Sequence, residues 1–230
     1  MAVIPARGDS KRIPRKNIRP LRGQPIISYA ITAALSSKIF NEVMVSTEDS
    51  EIAQIALSLG AKVPFMRSKE TAKDSAILVD VLQEVLNAYS QIGLKFDFLC
   101  CILPTALFIS ADDLKKSGDL FLEAQADAVI SVVRFSFPIQ RAFRMTGNRL
   151  SMIWPENMHK HSQELERTFH DAGQFYWIRP DVLDAQGKLF ADYSLGYELP
   201  ESQVQDIDTE EDWKIAESKF TQFLKKHDKP

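Results

Sequence analysis

The 230-residue chain has no run of 18 apolar residues, which speaks against a membrane-spanning helix. Its first residues carry neither the apolar stretch nor the small-residue cleavage site of an export signal, so the expectation is a cytoplasmic protein. Cysteine is confined to one adjacent pair, Cys100 and Cys101, inside the apolar run FLCCILP. A bond between chain neighbours is strained and alternate strand residues point to opposite faces, so the pair reads as reduced packing residues. A net charge of −3 and a pI near 5.9 argue against a nucleic-acid surface. Neither G-x-x-x-x-G-K-[ST] nor G-x-G-x-x-G occurs, which removes the main support for kinase-like and dinucleotide-binding readings. No internal repeat is present.

What is there is 45% hydrophobic residues, enough for one sizeable core, read as a single domain over residues 1–230. Short β-like runs alternate with longer amphipathic segments: AVIPA, Ile26–Ser37, EVMVST, Ser50–Leu59, KVPFM, Ala76–Gln91, FLCCILP, Asp112–Ala126 and DAVISVV. Strands separated by helices predict an α/β fold, three layers built on a mainly parallel sheet with flanking helices. The spacing of Ile77, Val81, Leu82, Val85, Leu86 and Tyr89 predicts one buried helix face. Ser50 and Ser110, each followed by acids, read as helix starts. A closing helix is expected over EDWKIAESKFTQFL, with Trp213, Ile215, Ala216, Phe220 and Phe223 on one face. KKHDKP is expected to be a frayed tail.

After Arg134 the pattern changes to a stretch rich in aromatic and basic residues, with a hairpin turn expected at Thr146-Gly147-Asn148. Phe135, Phe137, Phe143, Met145, Met152, Ile153 and Trp154 have little helix to bury against. They read either as a subunit contact or as a flap folded back on the chain's own sheet.

Seven Lys or Arg side chains stand between Arg7 and Arg22 against one acid, Asp9. An apolar AVIPA leading into Arg7-Gly8-Asp9-Ser10-Lys11-Arg12 reads as a strand running into a tight loop at the carboxyl edge of a parallel sheet, where α/β folds place ligands. Gly8 permits a close turn, Ser10 offers a hydroxyl, and Arg7, Lys11 and Arg12 offer fixed positive donors, a set suited to a polyphosphate. A solvated charged loop is the competing reading. Near the other end, Asp206 and Asp208 in VQDIDTEEDW project to one side of an extended segment. Two hard oxygen ligands suit Mg2+ that is also bridged by phosphates, while Asp208 or Thr209 ahead of Glu210-Glu211 could equally cap a helix.

The run IPARGDSKRIPRKNI followed by PLRGQPIISYAI resembles the start of the CMP-sialic acid synthetase family, the cytidylyltransferases that make CMP-activated nonulosonic acids. The family usually has a small residue where this chain has Asp9. The resemblance implies a nucleotide-diphospho-sugar-transferase fold of Rossmann-like type, and a homodimer built through an excursion at residues 134–170. It also implies that Arg7, Ser10 and Lys11 hold nucleotide phosphates, that Lys16 neutralises charge at the transferring phosphate, and that Asn17 lies near the nucleotide. Gly8, Arg12 and Arg67 complete the nucleotide set, and DIDTEED matches the family's late metal motif, with Asp206 and Asp208 on Mg2+.

The implied reaction is attack by the anomeric hydroxyl of a 2-keto sugar acid on the α-phosphate of CTP, with pyrophosphate leaving. No histidine or carboxylate is required as a separate base. FHDAGQFYW, SQVQDIDTEEDW and the Cys pair are more similar to the pseudaminic acid branch than to the sialic acid branch. Leu103-Pro104-Thr105-Ala106 stands where sialic-type enzymes carry Gln-Pro-Thr-Ser. CMP-sialic acid or CMP-legionaminic acid synthesis is the alternative, and a catalytically inactive nucleotide-binding protein the reading from another class. His170 and Asp171, ahead of Gly173, are candidate sugar contacts, His170 having a packing or surface role as its alternative. Arg67, Arg141 or a partner subunit's arginine is expected to meet the acceptor carboxylate.

Overall fold

The computed structural model describes residues 1–227, with side chains described through residue 224. In chain order the elements are β1 (Ala2–Pro5), β2 (Pro20–Leu21), β3 (Gln24–Pro25), α1 (Ile27–Ser37), β4 (Val43–Ser46), α2 (Ser50–Ser58), α3 (Leu78–Gln91) and β5 (Leu99–Ile102). They continue with α4 (Ala111–Glu123), β6 (Ala128–Arg134), β7 (Phe143–Thr146), β8 (Arg149–Met152), β9 (Phe169–Ile178), α5 (Pro180–Gln186), β10 (Ser194–Leu199) and α6 (Glu210–His227).

Six strands form one sheet in the order β10-β6-β9-β5-β1-β4. All neighbours are parallel except at β9, which runs antiparallel to both β5 and β6. The mainly parallel α/β sheet expected from the alternation is therefore present. β1, β4 and β5 are buried on both faces, which is why they read as continuous apolar runs instead of alternating ones.

One face packs on α1, α2 and α4 through Ala30, Ile31, Ala34, Ile52, Ala56, Leu114 and Phe121; the other packs on α3 and α5 through Val79, Leu82, Val85, Tyr89 and Leu183. These are the three layers. Cys100 belongs to the first cluster and Cys101 to the second, both reduced and buried. A third cluster seats α6 on the chain's opening segment, joining Trp213, Ala216 and Phe220 to Ile13, Leu21, Ile26 and Phe108. Fully burying each of the large side chains contributes about 1.5–3 kcal/mol, and this contact brings the carboxyl-terminal segment against the loop that follows β1.

Several boundaries differ from expectation. KVPFM is not a strand: Lys62 makes a single bridge to Met44, and Pro64 has no amide to extend it. α2 is capped not by Ser50 but by Asp49, whose Oδ1 accepts the amides of Glu51 and Ile52 at 3.0 and 2.9 Å. α3 starts at Leu78, not Ala76, where Asp80 accepts the Ile77 amide. Ser110 does cap α4, reciprocally with Asp113, though the helix ends at Glu123. Ile215 points outward at 40% exposure while Trp213, Ala216 and Phe220 are buried. The helix backbone continues through the expected tail to His227; residues 228–230 lie outside the described residues.

The β7-β8 hairpin turns at Gly147, φ +58°, where the sequence placed it, and forms a separate two-stranded sheet. Phe137, Phe143, Met145 and Leu150 are 83, 58, 70 and 63% exposed, so the hairpin does not fold back on the main sheet.

Candidate active site

The loop after β1 is held by its own chain. The amide of Ala6 extends the ladder to Ser46, and buried Asn17 donates to the Arg7 carbonyl at 2.9 Å, closing residues 7–17 into a compact turn. Arg15, in the left-handed region at φ +56°, pairs with Asp49 and with Glu51. The Arg15 guanidinium beside Asp49 holds that carboxyl below its ordinary value, helped by the α2 amides.

Arg7, Ser10, Lys11, Arg12, Lys16, Asn17 and Arg67 line a cleft of about 440 Å3, and Asp206 and Asp208 line the same cleft. Residues nearly 200 positions apart thus face one space. Lys16 Nζ donates to the Ile207 carbonyl at 2.6 Å and stands 3.5 Å from Asp208 Oδ1; Arg12 pairs with the same oxygen at 2.8 Å. The Asp208 carboxylate is free to do this because the helix cap is made by others: Thr209 and Asp212 cap each other reciprocally. Burial raises the Asp206 carboxyl above its ordinary value, the neighbouring Asp208 adds to that, and Lys16 opposes it.

Among the described residues there is no group of three or more His, Cys, Asp or Glu side chains arranged to hold a metal ion. Two carboxylates at spacing two, one of them partly desolvated and repelled by the other, are the donor set for a cation that keeps waters and phosphate oxygens as its remaining ligands. Asp206 and Asp208 therefore fit Mg2+.

Other predicted residues sit elsewhere. Gly8 does not border the cleft: its amide donates to Glu48 at 2.7 Å, and a Cβ there would stand 2.5 Å from Asp49 Oδ2, so the glycine lets the loop pack against Asp49. Asp9, where the family usually has a small residue, is exposed and outside the cleft lining. Arg67 lines the cleft but is buried, donating to the Ser46 hydroxyl and carbonyl at 3.0 and 2.6 Å; burial lowers its pKa.

His170 and Asp171 line not this cleft but a neighbouring one of about 330 Å3, with Arg134, Ser136, Glu201 and Lys219; Asp206 borders both. His170 also packs against the Phe135 ring, 4.7 Å between centroids. Gly173, at φ +60°, borders neither space; its amide donates to Asp171 Oδ1 at 2.8 Å while the Tyr176 hydroxyl donates to Oδ2. Gly173 thus supports Asp171. Arg141 is tied to the Lys160 carbonyl in the excursion.

Asp74, which the sequence reads with Ser75 as the opening of a helix, instead pairs with Arg7 at 2.6 Å and with Lys11, at the mouth of the main cleft. No local pattern reveals a pair 67 residues apart.

A sheet whose carboxyl-end loop faces two aspartates across one cleft defines a nucleotidyltransferase type of site. Residues 1–148 match the Cytidylyltransferase family, and the chain belongs to that family and is an enzyme of it. It is 40% identical over 94% of both chains to a pseudaminic acid cytidylyltransferase of Campylobacter jejuni. It is 30% identical, again over 94% of both, to a CMP-N,N'-diacetyllegionaminic acid synthase of Legionella pneumophila. The fold matches a solved CMP:2-keto-3-deoxy-manno-octonic acid synthetase complexed with CTP, with a TM-score of 0.70 at 19% identity, over 96% of this chain and 98% of that one. Among the described residues no helix is long and apolar enough to cross a membrane.

Proposed function

We propose that this enzyme transfers CMP from CTP to the anomeric hydroxyl of pseudaminic acid, or a near relative among the nonulosonic acids, and releases pyrophosphate with Mg2+ bound. The observation that carries the reading is the shared cleft, with the cations of residues 7–16 opposite Asp206 and Asp208. The pseudaminic acid relative at 40% identity supports the acceptor class. So does Leu103, which lines the cleft without the amide of the sialic-type sequence.

In this reading Arg7, Ser10 and Lys11 bind the outer phosphates, and Lys16, fixed by the Ile207 carbonyl, stands at the phosphorus that changes partners. Asp206 and Asp208 would hold Mg2+, which when bound supplies positive charge to the phosphates and acidifies the attacking hydroxyl. The acceptor oxygen bonds to the α-phosphorus as the bond to the β-phosphate oxygen breaks, and the hydroxyl proton passes to solvent. Spreading negative charge is met by Lys and Arg side chains that hold their protons throughout.

The second cleft takes the acceptor, since it meets the first at Asp206. His170 and Asp171 meet sugar hydroxyls there. Arg67 and Arg141 do not border this space, whereas Arg134 and Lys219 do and face the acceptor carboxylate. The exposed apolar side chains of the excursion are proposed to pair with a second copy of the chain, making a homodimer.

Pyrophosphate release from CTP is measured with pseudaminic, legionaminic, sialic and Kdo acids side by side, with and without Mg2+. Release with pseudaminic acid alone, or fastest with it, is expected; silence with all four removes the reading. An inactive nucleotide-binding protein would bind CTP in that assay without turnover.

A further inference from the structure

The two cations at the mouth of the main cleft are already engaged. One oxygen of Asp74 meets Arg7 Nη1 at 2.6 Å and the other meets Lys11 Nζ. A single carboxylate that gives one oxygen to each of two cations makes the same demand on them as a phosphate group does. The segment carrying Asp74, residues 68–77, is fixed at its stem: Glu84 accepts the Ser68 amide at 2.7 Å and its hydroxyl at 2.9 Å, and also the Thr71 hydroxyl. Its tip is held to the phosphate loop by Asp74. Both members of these pairs are substantially exposed, Asp74 by 47% and Lys11 by 72%, so each pair is weak and exchangeable in water.

We propose that Asp74 is a built-in competitor for phosphate, and that it makes the site discriminate nucleotides by their number of phosphate groups. The inference rests on the reading above, in which Arg7 and Lys11 hold the outer phosphates. A triphosphate or pyrophosphate brings more negative charge to these two cations than one carboxylate, and displaces it. A nucleoside monophosphate places its one phosphate at the Lys16 end of the cleft, leaves Asp74 where it is, and gains nothing from Arg7 or Lys11. When pyrophosphate leaves after transfer, Asp74 returns to the same two cations and disfavours its rebinding. Asp74 is therefore a specificity residue acting against ligands, not a contact that binds them.

The test is calorimetric titration of the full chain, wild type and Asp74→Asn, with CTP, CMP and inorganic pyrophosphate in the absence of acceptor. The isosteric amide keeps the shape of the tip and removes its charge; Asp74→Ala is the second variant, and thermal midpoints verify that all three proteins fold. Expected is a tightening of CTP and pyrophosphate by about three- to tenfold in both variants, the scale of losing exposed ion pairs, with CMP unchanged. Stronger product inhibition by pyrophosphate accompanies it.

CTP and pyrophosphate binding that is unchanged or weaker in both variants overturns the role of Asp74 alone, and CMP tightening as much as CTP overturns the discrimination. If the variants tighten as expected but no nonulosonic acid accepts CMP, the proposed reaction falls and the role of Asp74 stands. Wild type and variants that bind neither CTP nor pyrophosphate overturn both.

Discussion

The loop at residues 7–17 and the hairpin at residues 143–152 are both solvent-facing, and they differ in what their own chain supplies. Arg7 and Lys11 have Asp74, Arg12 and Lys16 have Asp208, and Arg15 has Asp49 and Glu51. Phe143, Met145 and Leu150 have no such answer among the described residues and stay more than half exposed. A cationic surface can be held in shape by internal counterions until an anionic ligand replaces them. An apolar surface is relieved only by another apolar surface. One region is complete before it binds anything; the other would be finished by the proposed association.

The largest expected effect breaks the first half of that contrast. Asp208→Ala removes the proposed metal ligand and the partner of Arg12 and Lys16, so kcat/KM in the pyrophosphate-release assay should fall by about a hundredfold or more, with the melting temperature little changed. Lys16→Ala should do the same while CTP still binds. Unaltered turnover in both variants would mean the cleft is misassigned.

The second half is broken by charge on the hairpin. Met145→Asp with Leu150→Lys should weaken self-association by about a hundredfold, read by sedimentation equilibrium, and leave CTP affinity intact. A wild-type chain that sediments as a monomer at high concentration would refute the proposed pairing.

Two smaller effects sharpen how the loop is supported. Gly8→Ala puts a methyl group against Asp49, and is expected to cost about 1–3 kcal/mol in urea unfolding. Asp49→Asn keeps an oxygen that can cap α2 but removes the charge facing Arg15, a loss of about 0.5–1 kcal/mol at pH 7. Because the folded-state pKa of Asp49 is depressed, its contribution is full above the unfolded carboxylate value of about 4 and fades as pH falls through the lower folded value. The difference between wild type and Asp49→Asn should therefore shrink as pH falls below the unfolded carboxylate value and toward the lower folded one; a difference independent of pH would show that charge plays no part.

The architecture was legible wherever apolar spacing was unopposed: β1, β4, β5, β6 and α1 stand as the sequence implies, and the buried face of α3 does so from Val81 to Tyr89, while Ile77 precedes the helix and is 58% exposed. It failed at KVPFM, where composition favoured a strand and Pro64 stopped the ladder, and α5 and β10 went unread. At the site, the cations after β1 were visible as composition and Asp206 with Asp208 as a motif. That they share one cleft is a property of how α6 seats on Ile13 and Leu21, which no local spacing encodes. Asp74 and Asp49 were hidden for the same reason: each serves as a counterion to residues more than 30 positions away and resembles an ordinary helix-start acid in its own neighbourhood. His170 and Asp171, named as sugar contacts, lie in an adjoining space and not in the main cleft, a division that the sequence does not reveal.

Cys100 and Cys101 lie side by side on β5, in the middle of the six strands, each locked into a different layer. Burial pushes both thiols up, that of Cys101 to about 12. A water-borne alkylating reagent can reach either sulfur only when the centre of the sheet parts. The modification rate is consequently a native clock for breathing of the molecule's middle, and comparing the two neighbours tells which layer lifts first.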